Sequence, residues 1–354
     1  MRAIFASAAL AACAAGGAEA QDTTWSTLNG DLMAQKFSPL DQITPENVGD
    51  LEVAWTAHTG DVWPGPGYGT PRAHDMKGDP SPTKSTPTTA WSATPIYANE
   101  TLYLGTPFYR IFAVDPGDGE IKWIYDSNAE LKPLTSPDLR SRGVAYWEAS
   151  EPEAGVPCQK RVYGGTMDAK LHAVDADTGA RCSDFGDGGV LDVDQWNDEN
   201  AKWPLSVLQP PTLFEDTLFL GWSGKDWWDS VAPSGSVFAL DARTGALRWT
   251  FCTMIDPEAA KTGTGNVWAS MSVDPERRIL YIPVSSPSPN FLGGDRTEEI
   301  PLATSVTALD VDSGDVIWSR QLVHHDIWDY DTNAAPTLID IEKDGETIPA
   351  LVQT

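Results

Sequence analysis

Basic residues are in short supply: 24 Lys and Arg stand against 51 Asp and Glu, a formal net charge of −27 over 354 residues. Such a balance repels nucleic acid and anionic membrane surfaces and suits a soluble exported protein. Long apolar runs are also lacking. Beyond residue 20 no stretch of 18 or more apolar residues occurs, so no transmembrane segment is expected there. Cysteine is scarce, at four, and none of the four sits in a Cys-x-x-Cys-His haem-attachment site or a zinc spacing; a glycine-rich phosphate loop is missing too. The chemistry has to come from other side chains.

The amino terminus carries Arg2, an Ala/Leu-rich stretch over residues 3–12, and Ala18-Glu19-Ala20 ahead of Gln21. This is the pattern of a secretory signal over residues 1–20, which predicts a periplasmic mature protein. Leu10-Ala11-Ala12-Cys13 also fits a lipoprotein signal with Cys13 lipidated, and both readings stay open. Cleavage at Ala20 leaves Cys158, Cys182 and Cys252, an odd number for an oxidising compartment. Cys158 and Cys182 flank a predicted hairpin and are candidates for a pair, which would leave Cys252 free.

What the chain has in abundance is a repeated phrase. Ala113-Val114-Asp115 runs through Gly119 to Trp123, Ala173-Val174-Asp175 through Gly179 to Cys182, Ala239-Leu240-Asp241 through Gly245 to Trp249, and Ala308-Leu309-Asp310 through Gly314 to Trp318. Each reads as a strand, a tight turn whose glycine supplies the left-handed residue, and a further strand. A recurrence about every 60–70 residues fits one four-stranded blade with its loops, so the fold class expected is an all-β propeller. The 15 Trp have a use in such a fold: an indole can lie across a neighbouring blade's backbone where a glycine offers no side chain. Cys182 breaks the pattern. With a leading strand at residues 51–55 and a trailing one at 337–341, about five blades are expected, in one partial propeller domain over residues 21–354. A propeller removes its edge strands by closing, and the chain stops at Gln353-Thr354 in apparent mid-strand, as a carboxy-terminally truncated fragment would.

His324 to Asp331, His-His-Asp-Ile-Trp-Asp-Tyr-Asp, is the densest group of chemistry-bearing side chains. It follows a blade's closing strand, where connecting loops line the mouth of a propeller channel. This run resembles the matching segment of pyrroloquinoline quinone (PQQ)-dependent dehydrogenases, quinoproteins of the glucose and polyol branch. Phe37-Ser38-Pro39-Leu40-Asp41-Gln42-Ile43 with Asn47-Val48 and Leu51, and Tyr281-Ile282-Pro283 with Ser285-Ser286-Pro287-Ser288-Pro289 and Gly293-Gly294, are similar to further segments of that family. The resemblance covers nearly the whole mature chain.

The resemblance implies an eight-bladed quinoprotein propeller, of which about five blades are present here. It implies that Asp329 is the base that takes the substrate hydroxyl proton, with Asp326 and Asp331 orienting nearby backbone and His325 contacting ligand or filling the wall. It further implies that Trp268 stacks on PQQ, that Arg142 faces the quinone carboxylates, and that Asp226 lies where a metal-binding acid is expected for a divalent ion, usually calcium. Two departures stand out: Ser286 occupies the place of a metal-binding Asn, and Ser92 that of a cofactor-contacting Glu. A further basic residue beside the quinone would fall beyond Thr354. The function implied is PQQ-dependent oxidation of a sugar, polyol or alcohol, with a membrane quinone or a cytochrome accepting the electrons. The alternatives are a non-catalytic propeller scaffold of the outer-membrane assembly type and a propeller hydrolase acting on glycans with paired carboxylates.

Overall fold

The computed structural model describes residues 24–61, 88–131, 134–136, 138–199, 201–224, 232–254 and 262–354. The signal over residues 1–20, Cys13 and Asp226 lie outside them. The chain divides into two compact units. Within the smaller, residues 38–51 form a loop and a short 3-10 helix, Val48–Asp50. There the Asn47 carboxamide accepts from the Thr44 amide at 2.7 Å and donates to the Gln42 carbonyl at 2.8 Å.

The larger unit is built from four-stranded antiparallel sheets. The first joins Ile96–Ala98, Thr101–Gly105, Arg110–Val114 and Ile121–Asp126. The second joins Ala145–Glu148, Lys160–Gly165, Lys170–Asp175 and Val190–Asp192. Thr212–Phe214, Thr217–Leu220, Ser236–Asp241 and Leu247–Cys252 make the third. The fourth consists of Ser272–Asp274, Ile279–Val284, Ser305–Asp310 and Val316–Gln321. A hairpin of Thr337–Lys343 and Glu346–Val352 follows. Within each of these four sheets neighbouring strands follow in chain order, which is the meander of a propeller blade; a separate parallel pair joins Thr88–Trp91 to Asp138–Ser141. One apolar cluster spans the first and second blades through Tyr103, Ile111, Val162 and Val174. Others join the second to the third through Tyr163, Phe185, Trp222 and Phe238, and the third to the fourth through Phe219, Val237, Val267 and Leu280.

The repeated phrase forms the turn between third and fourth strands. Asp175 Oδ1 accepts from the backbone amide and hydroxyl of Thr178, and Asp241 and Asp310 do the same with Thr244 and Ser313. The glycines then close the turn, donating to the Asp carbonyl at 2.8–3.0 Å with φ of +72° to +78°. The indoles dock as expected: Trp55 covers Gly119, Trp123 covers Gly179 and Trp249 covers Gly314. Each also donates Nε1–H, at 3.0 Å, to the carbonyl just after the phrase's aspartate, at Pro116, Ala176 and Val311 respectively.

Two expectations are corrected. Residues 51–55 form no strand; the alternating apolar pattern there pairs with no strand among the described residues, although Trp55 still docks. In the second blade the fourth strand does not follow the turn directly but lies at Val190–Asp192. Cys182 is bonded to Cys158, and Phe185 takes the place of the missing indole over Gly245, where an added Cβ would meet its ring at 3.1 Å. Cys252 is free, as anticipated.

Candidate active site

Loops, freed from ladder hydrogen bonding, bring the site residues together: three connections between blades and one within the fourth blade. Arg142 lies between Asp138–Ser141 and the second blade, Trp268 between the third and fourth blades, Ser286 just after Ile279–Val284, and Asp329 and Asp331 between the fourth blade and the final hairpin. Side chains from four separate stretches thus meet around a cavity of about 470 Å³, whose lining includes Arg140, Arg142, Ser223, Trp268, Asp329, Tyr330 and Asp331. Arg142, Trp268 and Asn333 also line a second cavity of about 390 Å³, together with Ser92.

The turn carrying Asp329 is organised by Asp326. That carboxylate is 2% exposed, and it accepts from the backbone amides of Trp328 at 2.9 Å and Tyr330 at 3.0 Å. Wrapping the chain around one carboxylate leaves Asp329 at φ +59°, a left-handed conformation in which a non-glycine residue carries strain that the surrounding contacts must hold in place. Asp326 therefore orients backbone, the role expected of it.

Asp331 pins the aromatic floor. Its Oδ2 accepts from Trp268 Nε1 at 2.7 Å, and its Oδ1 accepts from both the amide and the hydroxyl of Ser286 at 2.7 Å. Burial pushes the Asp331 carboxyl above the usual carboxylate range, opposed by the Ser286 hydrogen bonds and reinforced by the charge of Asp329. Over the Trp268 ring, 4.6 Å from its centre, sits the Arg142 guanidinium, which also donates from Nη1 to Ser223 Oγ at 3.3 Å and to the Trp268 carbonyl at 3.4 Å. Burial, and then the neighbouring Arg140, lower its pKa to about 10.

Asp329 completes the group. Its Oδ1 lies 3.0 Å from Ser286 Oγ and accepts from Asn290 Nδ2 at 2.8 Å. Of the residues singled out in the sequence, the cavity gathers Asp329, Trp268 and Arg142, with Ser286 bonded to Asp329 behind them. His325 is placed elsewhere: it is exposed and lies over Gly293, where an added Cβ would fall 2.3 Å from its Nε2. Ser92 donates to the Ser141 carbonyl at 3.1 Å. Sequence reasoning missed Asn290 and Ser223. Asn290 lies inside the loop already marked by Pro289 and Gly293, but a lone Asn between Pro and Phe gives no signal of its own.

The arrangement suits a flat, anionic ring system. The indole is fixed along its edge by a carboxylate, a half-buried guanidinium with no acidic partner at hydrogen-bond distance among the described residues stands over its ring, and the cavity is large enough for a small heterocycle. For a divalent ion the donor set beside it is all oxygen, from Asp329, Asp331 and Ser286, which is hard-cation chemistry. Among the described residues, no group of three or more His, Cys, Asp and Glu comes together as a metal centre, so such an ion would need hydroxyl or amide oxygens as well.

Comparison with known proteins agrees with this geometry. Residues 25–354 match the family model described as PQQ, glucose/ethanol/alcohol dehydrogenase, beta-propeller domain. The chain is 34% identical to a quinate/shikimate dehydrogenase (quinone) of Acinetobacter baylyi, over 94% of its own length and 41% of that protein. It is 33% identical to a quinoprotein glucose dehydrogenase of Escherichia coli, over 93% and 41%. Among solved structures, a quinohemoprotein alcohol dehydrogenase of Pseudomonas putida superposes with a TM-score of 0.70 at 25% identity, covering 93% of this chain and 44% of that one. The chain therefore spans about two fifths of the length of the curated relatives it matches.

Proposed function

The chain belongs to the PQQ-dependent dehydrogenase β-propeller family, and on that premise we propose that it carries the quinone-binding half-site and the catalytic base of an enzyme oxidising a sugar, polyol or alcohol. The observation that carries this reading is the convergence of Trp268, Arg142 and Asp329 on one cavity. Trp268 is the stacking face, held edge-on by Asp331; Arg142 is the cation for the ligand's carboxylates. Asp329 is the general base, placed to take the proton of a substrate hydroxyl while the carbinol carbon gives up its hydride. When bound, the quinone supplies the hydride acceptor, and calcium the Lewis acid that polarises it. Ser286 and Asp226 are the proposed contacts for the ion. The substrate thereby loses one proton and one hydride and leaves as an aldehyde, ketone or lactone.

The reading extends to a periplasmic location, with electrons passing on to a membrane quinone or a cytochrome. A scaffold propeller would have no use for a half-buried Asp331 holding a tryptophan beneath an arginine. A glycan hydrolase would need its second carboxylate free, whereas Asp331 is engaged by Trp268 and Ser286. The test is turnover of the full-length protein, reconstituted with PQQ and calcium, on a panel of sugars, polyols and cyclic alcohols with an artificial electron acceptor. Quinone-dependent oxidation of at least one of them is expected; quinone uptake with no oxidation across the panel would refute the reading.

A further inference from the structure

We infer that Asn290 is the positioning residue for Asp329: its buried carboxamide clamps one carboxylate oxygen and leaves the other for the substrate hydroxyl. This deepens the proposed function and rests on Asp329 being the base.

The accounting of hydrogens carries it. Ser286 has one hydroxyl hydrogen and two carboxylates in reach, Asp331 Oδ1 at 2.7 Å and Asp329 Oδ1 at 3.0 Å. The shorter contact claims it, because a hydroxyl donates once. Asp329 is then left with Asn290 as its committed donor. The Asn290 amide nitrogen has two hydrogens and two acceptors in place, Ser286 Oγ at 2.7 Å and Asp329 Oδ1 at 2.8 Å. No hydrogen bond from a described residue reaches Asp329 Oδ2, and Asp329 lines the 470 Å³ cavity.

Asn290 is itself held firmly. It is 1% exposed. Arg296, 2% exposed, donates from Nε to the Pro289 carbonyl at 3.1 Å and from Nη2 to the Asp326 carbonyl. The loop bearing Asn290 and the turn bearing Asp329 are thus tied to one guanidinium, while Asp326 fixes the amides of Trp328 and Tyr330 on either side of Asp329. A left-handed residue held from both neighbours still has a free side-chain torsion. Asn290 removes that freedom.

The test uses the full-length protein with PQQ and calcium. Asn290→Ala should keep wild-type quinone content and KM while kcat falls roughly 10- to 100-fold, the loss expected for a hydrogen bond to a charged group. In an Asp329→Ala background the same change should cost nothing further, because a residue acting only through the base has nothing left to position. Crystal structures of wild type and Asn290→Ala give a readout independent of turnover: the Asp329 carboxylate should leave its rotamer in the variant. Asn290→Leu keeps the volume without the donor and should behave as the alanine variant does. Unchanged kcat, an unmoved carboxylate, or loss of folding in both variants overturns the assignment. A wild-type protein that binds quinone but oxidises no alcohol sinks the proposed function instead, and the crystallographic comparison still decides Asn290.

Discussion

Burial acts in opposite directions on the two ionisable side chains that frame Trp268. It raises the carboxyl of Asp331 and lowers the guanidinium of Arg142 to about 10. Arg142 stays protonated at neutral pH, so the face of the indole carries a partly desolvated cation, to which an anionic ligand binds more strongly than to one in bulk water. Elsewhere the same effect produces a pH response. His172, 4% exposed and bonded through Nδ1 to the Tyr125 hydroxyl at 2.9 Å, has its pKa lowered to about 4 by burial and by the charges of Arg181 and Lys170. Between that value and the ordinary 6.5 the unfolded chain binds the extra proton. Stability is therefore fully present above about pH 6.5 and declines as the pH falls towards 4, by about 3 kcal/mol in total. The melting temperature should drop less between pH 7 and pH 5 in His172→Gln than in wild type; equal drops would contradict a neutral buried imidazole. At this scale Asp329, Trp268 and Arg142 were legible in the sequence because each sits in a recognisable segment. Asn290 was not, since its importance comes from which acceptors surround it.

Among the elements, the Trp–Gly contact between blades is what makes the repeat a repeat. At Gly314 an added Cβ would stand 2.7 Å from the Trp249 ring, on backbone with φ +75°. Gly155 has a similar φ of +80° but nothing within 4 Å of its would-be Cβ, so it isolates backbone strain from lost docking. Gly314→Ala should destabilise by about 1–3 kcal/mol more than Gly155→Ala in urea unfolding, the usual cost of overpacking. Equal losses would mean that the indole contributes nothing to holding neighbouring blades. The strand–turn–strand units were readable because aspartate turns depend on residues close in sequence, and the Trp55, Trp123 and Trp249 contacts because each indole and its glycine recur at the spacing of the repeat. The second blade was legible only in part: the Cys158–Cys182 pair was a candidate from its flanking positions, but Phe185, which replaces the indole over Gly245, sits outside the phrase and no local pattern marks it. Residues 51–55 failed as a strand for a related reason, since alternation alone supplies no neighbour to pair with.

Across the whole chain, four successive meander sheets exist to bring a few loop residues to one place, and fold and family were both open to reading because repeat and motif agree. The proposed contacts for a metal ion were less so. Asp226 lies outside the described residues, and the Ser286 hydroxyl is engaged with Asp331 and Asn290. The most direct test of the whole scheme is a single-turnover absorbance measurement on the full-length protein loaded with PQQ and calcium, without an electron acceptor, after addition of an alcohol found to be oxidised. Wild type should pass from the oxidised to the reduced quinone spectrum, while Asp329→Asn should retain stoichiometric oxidised quinone. Reduction in Asp329→Asn at the wild-type rate, or a wild-type protein that takes up no quinone, would contradict it.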